Sequence, residues 1–227
     1  MKLKRFKVAI DSPAASGAGT ISKMLAKRYN LLYCDTGKIY RYLAYKLIKK
    51  NITNKITYLK KISKKIDLKK LHNKNLLNDK IAFNASQIAK DLRVRKFVLK
   101  FQRNIAYYPP KKFNGSILDG RDICSVVVPD ADIKLYITAS VNIRAKRRHK
   151  ELVRLGRKVK FAKILKSMKK RDWEDRTRVH SKLKKTKDSH LINTTNLSIK
   201  SSFLKVKKIM DRKLKTKYGK FYKTKSR

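Results

Sequence analysis

The densest concentration of reactive geometry in this sequence is Ile10-Asp11-Ser12-Pro13-Ala14-Ala15-Ser16-Gly17-Ala18-Gly19-Thr20. A strand-like run over residues 7–11 leads into it, and an amphipathic helical pattern over 17–29 leads out. A strand, a turn of small residues and a helix start together aim successive backbone N–H groups and a positive helix end at one anion. The segment therefore reads as a phosphate-binding loop, with Ser12, Pro13, Ala14, Ala15, Ser16, Gly17, Ala18, Gly19 and Thr20 as its wall. Gly17 and Gly19 let the backbone approach a ligand closely. The usual pattern is G-x-x-x-x-G-K-[ST]. Here Ser12 occupies the first glycine slot, Ala18 the lysine slot and Gly19 the hydroxyl slot, with Thr20 one residue later. Without its lysine, the loop by itself is equally a small-residue strand-to-helix turn with no ligand.

Four more groups of residues carry chemistry. Asp35-Thr36-Gly37-Lys38-Ile39-Tyr40-Arg41 opens a helix, with Thr36 placed to cap it and Arg41 about one turn in, within reach of an anion at the helix start. Asn84-Ala85-Ser86-Gln87 precedes Arg93-Val94-Arg95, with Gln102-Arg103 further on; two arginines beside a polar helix face suit a phosphate, or simply a solvated surface. Asp119-Gly120-Arg121-Asp122 follows the apolar pair Ile117-Leu118. Asp122 is a fixed acceptor for an exocyclic amine, Arg121 offers a bidentate fork, and Asp119 can orient magnesium-bound water or a phosphate-binding partner. Arg171, Asp172, Asp175 and Arg178 recur at three- or four-residue steps along one helix face or its fraying end, and Arg144, Arg147 and Arg148 sit on the preceding helical stretch.

The elements needed to position these residues alternate. Apolar runs at 7–11, 31–34, 116–118, 133–138 and 190–193 read as strands. Helical patterns at 17–29, 37–50, 80–92, 95–107, 141–155, 161–178 and 199–213 lie between and after them. Such alternation predicts an α/β fold with a parallel sheet covered on both faces. Ligands then bind beyond the strand C-termini, which is where the loop, the Asp35 segment and the Asp119 segment fall. Residues 51–78 are rich in lysine and asparagine, with weak helical periodicity at Leu59, Ile62, Ile66 and Leu68, and read as an insertion. Gly156, amid basic residues, marks a turn between two helices, a shape suited to a moving lid.

Composition narrows the function classes. The 227 residues suit one medium domain, and 41% hydrophobic content is enough for a core. A formal charge of +48 invites a nucleic-acid reading, but the lysines are scattered along the whole length, as in a lysine-rich proteome. No specific nucleic-acid partner is expected. Two cysteines, Cys34 and Cys124, exclude a disulfide framework and fit a reducing, cytoplasmic setting. No run approaches the ~20 apolar residues of a membrane span, and the start Met1-Lys2-Leu3-Lys4-Arg5 is not expected to be a secretory signal. The basic end, from Lys213 to Arg227, is expected to fray.

Taken in order, these segments resemble the bacterial cytidylate kinase family over residues 8–204 or so. The resemblance implies a P-loop nucleoside-monophosphate kinase fold in a single domain spanning 1–227. Its monophosphate-binding region would cover about 36–110, its lid about 144–172 and a basic tail about 214–227. It implies transfer of the γ-phosphoryl group of ATP to CMP or dCMP with Mg²⁺, by a monomer with no protein-bound metal site of its own. By the same resemblance, Thr36, Ser86, Asp122 and Arg178 surround the cytosine, Asp175 holds the sugar, and Arg41, Arg95 and Arg121 hold the acceptor phosphate. Arg147 and Arg171 come down on the donor phosphates, and Asp119 completes the catalytic group. Ala18 departs from the family, whose lysine bridges the β- and γ-phosphates. Either another cation substitutes, with Lys23, Lys38, Arg147 and Arg148 as candidates, or the chain is a weakened nucleotide-binding relative. The intact acceptor-side motifs favour substitution.

Overall fold

The computed structural model describes residues 5–50, 52 and 55–219. The starting residues 1–4 and the basic stretch 220–227 lie outside them. Five parallel strands form one sheet: β1 (Phe6–Asp11), β2 (Leu31–Asp35), β3 (Gly115–Gly120), β4 (Ile133–Thr138) and β5 (His190–Asn193), in the order β2-β3-β1-β4-β5. All five expected strands are present and the parallel arrangement holds. The central strands read as continuous apolar runs because both faces are covered: Val8, Ala9, Ile10, Ile117 and Leu118 are buried.

Helices supply the cover and the parallel crossovers. On one face lie α1 (Ala18–Tyr29) and α8 (Ile199–Tyr218), where Ile21 and Leu25 meet Val206, Met210 and Leu214 over β1 and β4. The expected fray from Lys213 is therefore helix as far as Tyr218, held by the buried Leu214. On the other face lie α2 (Thr36–Ile48), α3 (Lys55–Ser63), α4 (Asp79–Ile88) and α5 (Leu92–Tyr107), around Leu43, Leu59, Leu76 and Val98. The insertion is more ordered than its composition suggests. It holds α3 and two short 3₁₀ turns, with Leu59, Ile66, Leu71 and Leu76 buried. The single helical pattern expected over 80–92 stops at Ile88, because Asp91 caps α5 by accepting from the Arg93 amide at 2.8 Å.

After β4, α6 (Val141–Arg154) and α7 (Phe161–Thr177) form a hairpin through Gly156, whose φ of 72° is left-handed. The hairpin has a small core of its own, Ala145, Leu152, Ile164 and Met168, and Ala14 and Ala15 of the phosphate loop pack against it.

Leu25 is fully buried between α1 and the sheet. Leu25→Ala should lower unfolding free energy by roughly 2–5 kcal/mol, read by urea denaturation. A loss under about 1 kcal/mol would contradict this packing.

Candidate functional site

The strand C-termini open into one cavity of about 420 Å³. The phosphate loop from Ser12 to Thr20 forms one wall, α2 and α4 a second, Asp119 to Asp122 the floor, and α7 a third wall. The sequence motifs therefore converge.

The loop is held from its outer side. Ala15, at φ 59°, and Gly17, at φ 90°, are both left-handed, an uncommon state for alanine. Arg144, 2% exposed, donates to the Ala14 carbonyl at 3.2 Å and to Asp172 at 3.1 and 2.5 Å. Arg147 donates to the Ser16 carbonyl at 3.2 Å, and to the hydroxyl and carbonyl of Thr194 at 3.0 and 2.8 Å. Two arginines of α6 thus grip the carbonyls on either side of Ala15. Arg147 does not line the cavity here, whereas Arg171 does.

On the floor, Asp11 ends β1 and is fully buried. Its carboxylate accepts from the amides of Ile123 at 2.6 Å and Cys124 at 3.0 Å. Burial pushes its pKa up to about 6, against the pull of those two amides. This fixes the short π-helical turn Ile123–Val127 and, just before it, Asp122. Asp122 in turn accepts from Arg95 at 2.5 Å, and both side chains are buried. The remaining Arg95 donors go to the Ser181 hydroxyl at 2.9 Å and the Ala89 carbonyl at 3.0 Å. Arg95 therefore stands beside Asp122 at the end of β3, and it is buried together with Val94.

The other arginines gather on Asp175. Arg121 donates to it at 2.8 Å, Arg178 at 3.4 Å, and Arg171 approaches at 3.9 Å. Burial works against the Asp175 carboxylate, but Arg121, Arg171 and Arg178 outweigh it and hold its pKa below the ordinary value. Burial, aided by Arg121, pushes Arg171 down to about 10. Its Nε is buried with no hydrogen-bond partner, although 40% of the side chain reaches solvent. Arg41 lines the cavity and donates to the Leu76 carbonyl at 2.8 Å. Ser86 also lines it, its hydroxyl turned to the Phe83 carbonyl at 2.7 Å.

Thr36 was expected to cap α2, but Asp35 does so, accepting from the Lys38 amide at 3.3 Å. An aspartate one residue before the helix start occupies the geometry a capping side chain needs. Thr36 is freed to donate to the Asp119 carbonyl at 2.8 Å. That contact requires Gly120, where a Cβ would fall 2.4 Å from the Thr36 hydroxyl. Asp119 pairs in register with Asp35 and accepts from the Tyr33 hydroxyl at 3.0 Å. Burial and then the Asp35 charge push the Asp119 pKa up to about 8.

Sequence reasoning did not single out Asp11, Tyr33, Lys90 or Glu174. Lys90 and Glu174 meet at 3.5 Å across the cavity mouth, joining the end of α4 to α7. Asp11 could have been found as the one acid of a largely apolar strand, whereas Tyr33 carries no such signal.

Fold and site define an α/β protein whose strand-to-helix loop of small residues shares one cavity with a cluster of arginines. A solved structure of an uncharacterized protein from Eubacterium ventriosum shares the fold, with a TM-score of 0.54 over 91% of this chain and 99% of that one, at 17% identity. The cytidylate kinase family model matches residues 8–212. A cytidylate kinase of Bartonella bacilliformis is 43% identical over 93% of this chain and 97% of its own. Those of Bartonella tribocorum (88% and 92% covered) and Rhizobium meliloti (93% and 99%) are 42% and 40% identical. The chain belongs to the cytidylate kinase family.

Because the folded state raises the Asp119 pKa from 3.8 to about 8, it binds a proton there that the unfolded chain releases. The protonated form's stability is complete below the unfolded value and is lost as pH climbs through the folded one, at up to about 1.4 kcal/mol per pH unit. Asp119→Asn should flatten the decline in unfolding free energy across that window, measured by denaturant titration at several pH values. An unchanged slope would show that Asp119 is ionised in the free protein.

Proposed function

We propose that this chain is an ATP-dependent nucleoside-monophosphate kinase that transfers the γ-phosphoryl group of ATP to CMP or dCMP, giving ADP and CDP or dCDP. The observation that carries this is the single cavity in which the phosphate loop faces both Asp122 and the arginines around Asp175. Family membership over residues 8–212 supports the same reaction.

In this reading the loop from Ser12 to Thr20 cradles the donor phosphates. Cytosine offers an exocyclic amine as donor and N3 and O2 as acceptors. The Asp122 carboxylate accepts from the amine, while Arg95, fixed to Asp122, and Arg178 supply donors on the same side; Ser86 and Thr36, whose protons go to the Phe83 and Asp119 carbonyls, border the base. Asp175 accepts from the sugar. Arg41 and Arg121 hold the acceptor phosphate, and Arg171, with its buried unsatisfied Nε, bridges toward the donor. An acceptor phosphate oxygen forms a bond to the γ-phosphorus as the bond to the β–γ bridging oxygen breaks, and ADP leaves. This chemistry asks for positioning and charge neutralisation more than for covalent help from the protein. Arg147 reaches donor phosphates only by leaving Ser16 and Thr194, a movement the α6–α7 hairpin would make as a lid.

The residues fit a Mg²⁺ ion that arrives with the nucleotide. Asp119, beside Asp35 and Tyr33 and facing Gly19, offers hard oxygen donors at the loop, and Thr20 adds a hydroxyl. Bound there, Mg²⁺ supplies charge neutralisation on the phosphates. We place the reaction in the cytoplasm, which the two buried, unpaired thiols support.

Uracil would oppose a carbonyl to the Asp122 carboxylate, leaving two acceptors unpaired at a cost of roughly 1–3 kcal/mol. A coupled ADP-release assay should therefore show turnover with CMP and dCMP, and UMP poorer by roughly tenfold to a hundredfold. Asp122→Asn, which can donate to a carbonyl, should shrink that gap. Equal use of all pyrimidine monophosphates by the native chain would overturn the base assignment.

A further inference from the structure

We propose that Lys23 supplies to the donor phosphates the positive charge that the loop gives up at Ala18. This rests on the phosphoryl-transfer reading above and names the group that completes it.

The cavity is lined by seven cations, and six of them are engaged. Arg95 is held by Asp122; Arg121, Arg171 and Arg178 by Asp175; Lys90 by Glu174; and Arg41 by the Leu76 carbonyl. Among the described residues, Lys23 is the lining cation whose ammonium has neither a hydrogen bond nor an ion pair. The other candidates are placed elsewhere. Lys38 does not line the cavity, Arg147 is bound to Ser16 and Thr194, and Arg148 pairs with Glu151 at 2.8 Å.

Position on α1 supplies the direction. Lys23 is four residues after Gly19, one turn below it on the same face. Helical side chains tilt back toward the N-terminus, so the Lys23 stem rises toward the loop. Gly19 leaves that path open. A Cβ on Gly19 would lie 3.5 Å from both the Asp119 carboxylate and the Tyr33 hydroxyl, so this face of α1 looks onto the end of β3, where the donor phosphates and the acceptor must meet. The Lys23 charge already stabilises the Asp119 carboxylate from this side. An anion arriving on the loop amides gives the ammonium a second, stronger partner without moving the backbone.

The test compares Lys23→Met, Lys23→Arg, Ala18→Lys and the double variant Ala18→Lys/Lys23→Met. Removing one placed charge of this kind costs roughly 10²–10³ in turnover, so Lys23→Met should lose activity on that scale, with KM for CMP unchanged. Lys23→Arg should recover most of it. Ala18→Lys should rescue the Lys23→Met chain far more than it accelerates the native one, since the two cations serve one role. A Lys23→Met chain that turns over CMP at the native rate sinks the proposal and leaves the reaction standing. So does an Ala18→Lys gain equal in both backgrounds. If the native chain phosphorylates no nucleoside monophosphate, the reaction itself fails, and calorimetry decides the role of Lys23 alone. The expected result is weaker binding of a non-hydrolysable ATP analogue by Lys23→Met, by roughly tenfold, with AMP binding unaltered. Equal loss for both, or none for either, removes Lys23 from the phosphates.

Discussion

The site depends first on one buried carboxylate. Asp11 closes β1, and the next residue begins the phosphate loop. Its two oxygens take the amides of Ile123 and Cys124, and the residue before those is Asp122. One side chain thus fixes the distance between the small-residue loop and the Asp122 carboxylate across the cavity. Burying an ion in apolar surroundings is costly, which is why the Asp11 pKa rises to about 6. Charge-assisted bonds to two amides offset that cost and keep the carboxylate mostly ionised at neutral pH. The Cys124 thiol adds a weak tether from the same turn to the Ala9 carbonyl at 3.4 Å.

The second constraint is a deliberate imbalance of charge. Only 15 acidic residues stand against 63 basic ones in the whole chain, yet Asp35, Asp119, Asp122, Glu174 and Asp175 all line one cavity. Two of them hold arginines in place: Asp122 pairs with Arg95, and Asp175 meets three at once. Asp175 faces Arg121, Arg171 and Arg178 at once, so the cluster carries net positive charge in a partly desolvated place. The lowered Arg171 and Arg178 pKa values record that tension, with burial the largest cause in each. A phosphate dianion entering the cluster relieves repulsion that already exists, and the donors need little reorganisation to receive it. On the opposite side, burial and then the adjacent Asp35 charge disfavour an ionised Asp119.

Much of this was legible in the sequence. Strand runs such as Val8-Ala9-Ile10 and the small-residue turn after them have strong local signatures, and alternation with helices dictated a parallel sheet whose C-terminal edge collects the motifs. What the sequence could not show is the partner each side chain takes when that partner lies far along the chain. Asp35 and Thr36 are both good capping residues, and only the proximity of Asp119 decides that threonine turns to β3. Arg95 and Arg121 look alike as neighbours of acids, but their partners, Asp122 and Asp175, are distant in sequence and set by packing. Arg147 reads as a free lid cation until the loop carbonyls appear beside it. The insertion showed only weak helical periodicity because lysine and asparagine dilute its apolar positions, yet four buried apolar side chains suffice to order it against α2.

The overall charge of +48 does not make the missing loop lysine redundant. Lysines remote from the cavity act on a bound phosphate through water and salt, where attraction fades within about 8–10 Å at physiological ionic strength. They raise the local concentration of anionic nucleotides and speed their arrival. Transfer requires something else, a charge already in place beside the oxygen on which negative charge grows. Most placed cations of this cavity are paired with Asp122 and Asp175, and Arg144 and Arg147 of α6 are held on the outer face of the loop. Without movement of the α6–α7 hairpin, a cation added on the donor side must come from α1 itself, beside Arg171, or travel with the nucleotide. That is a local demand, and no quantity of scattered lysine meets it.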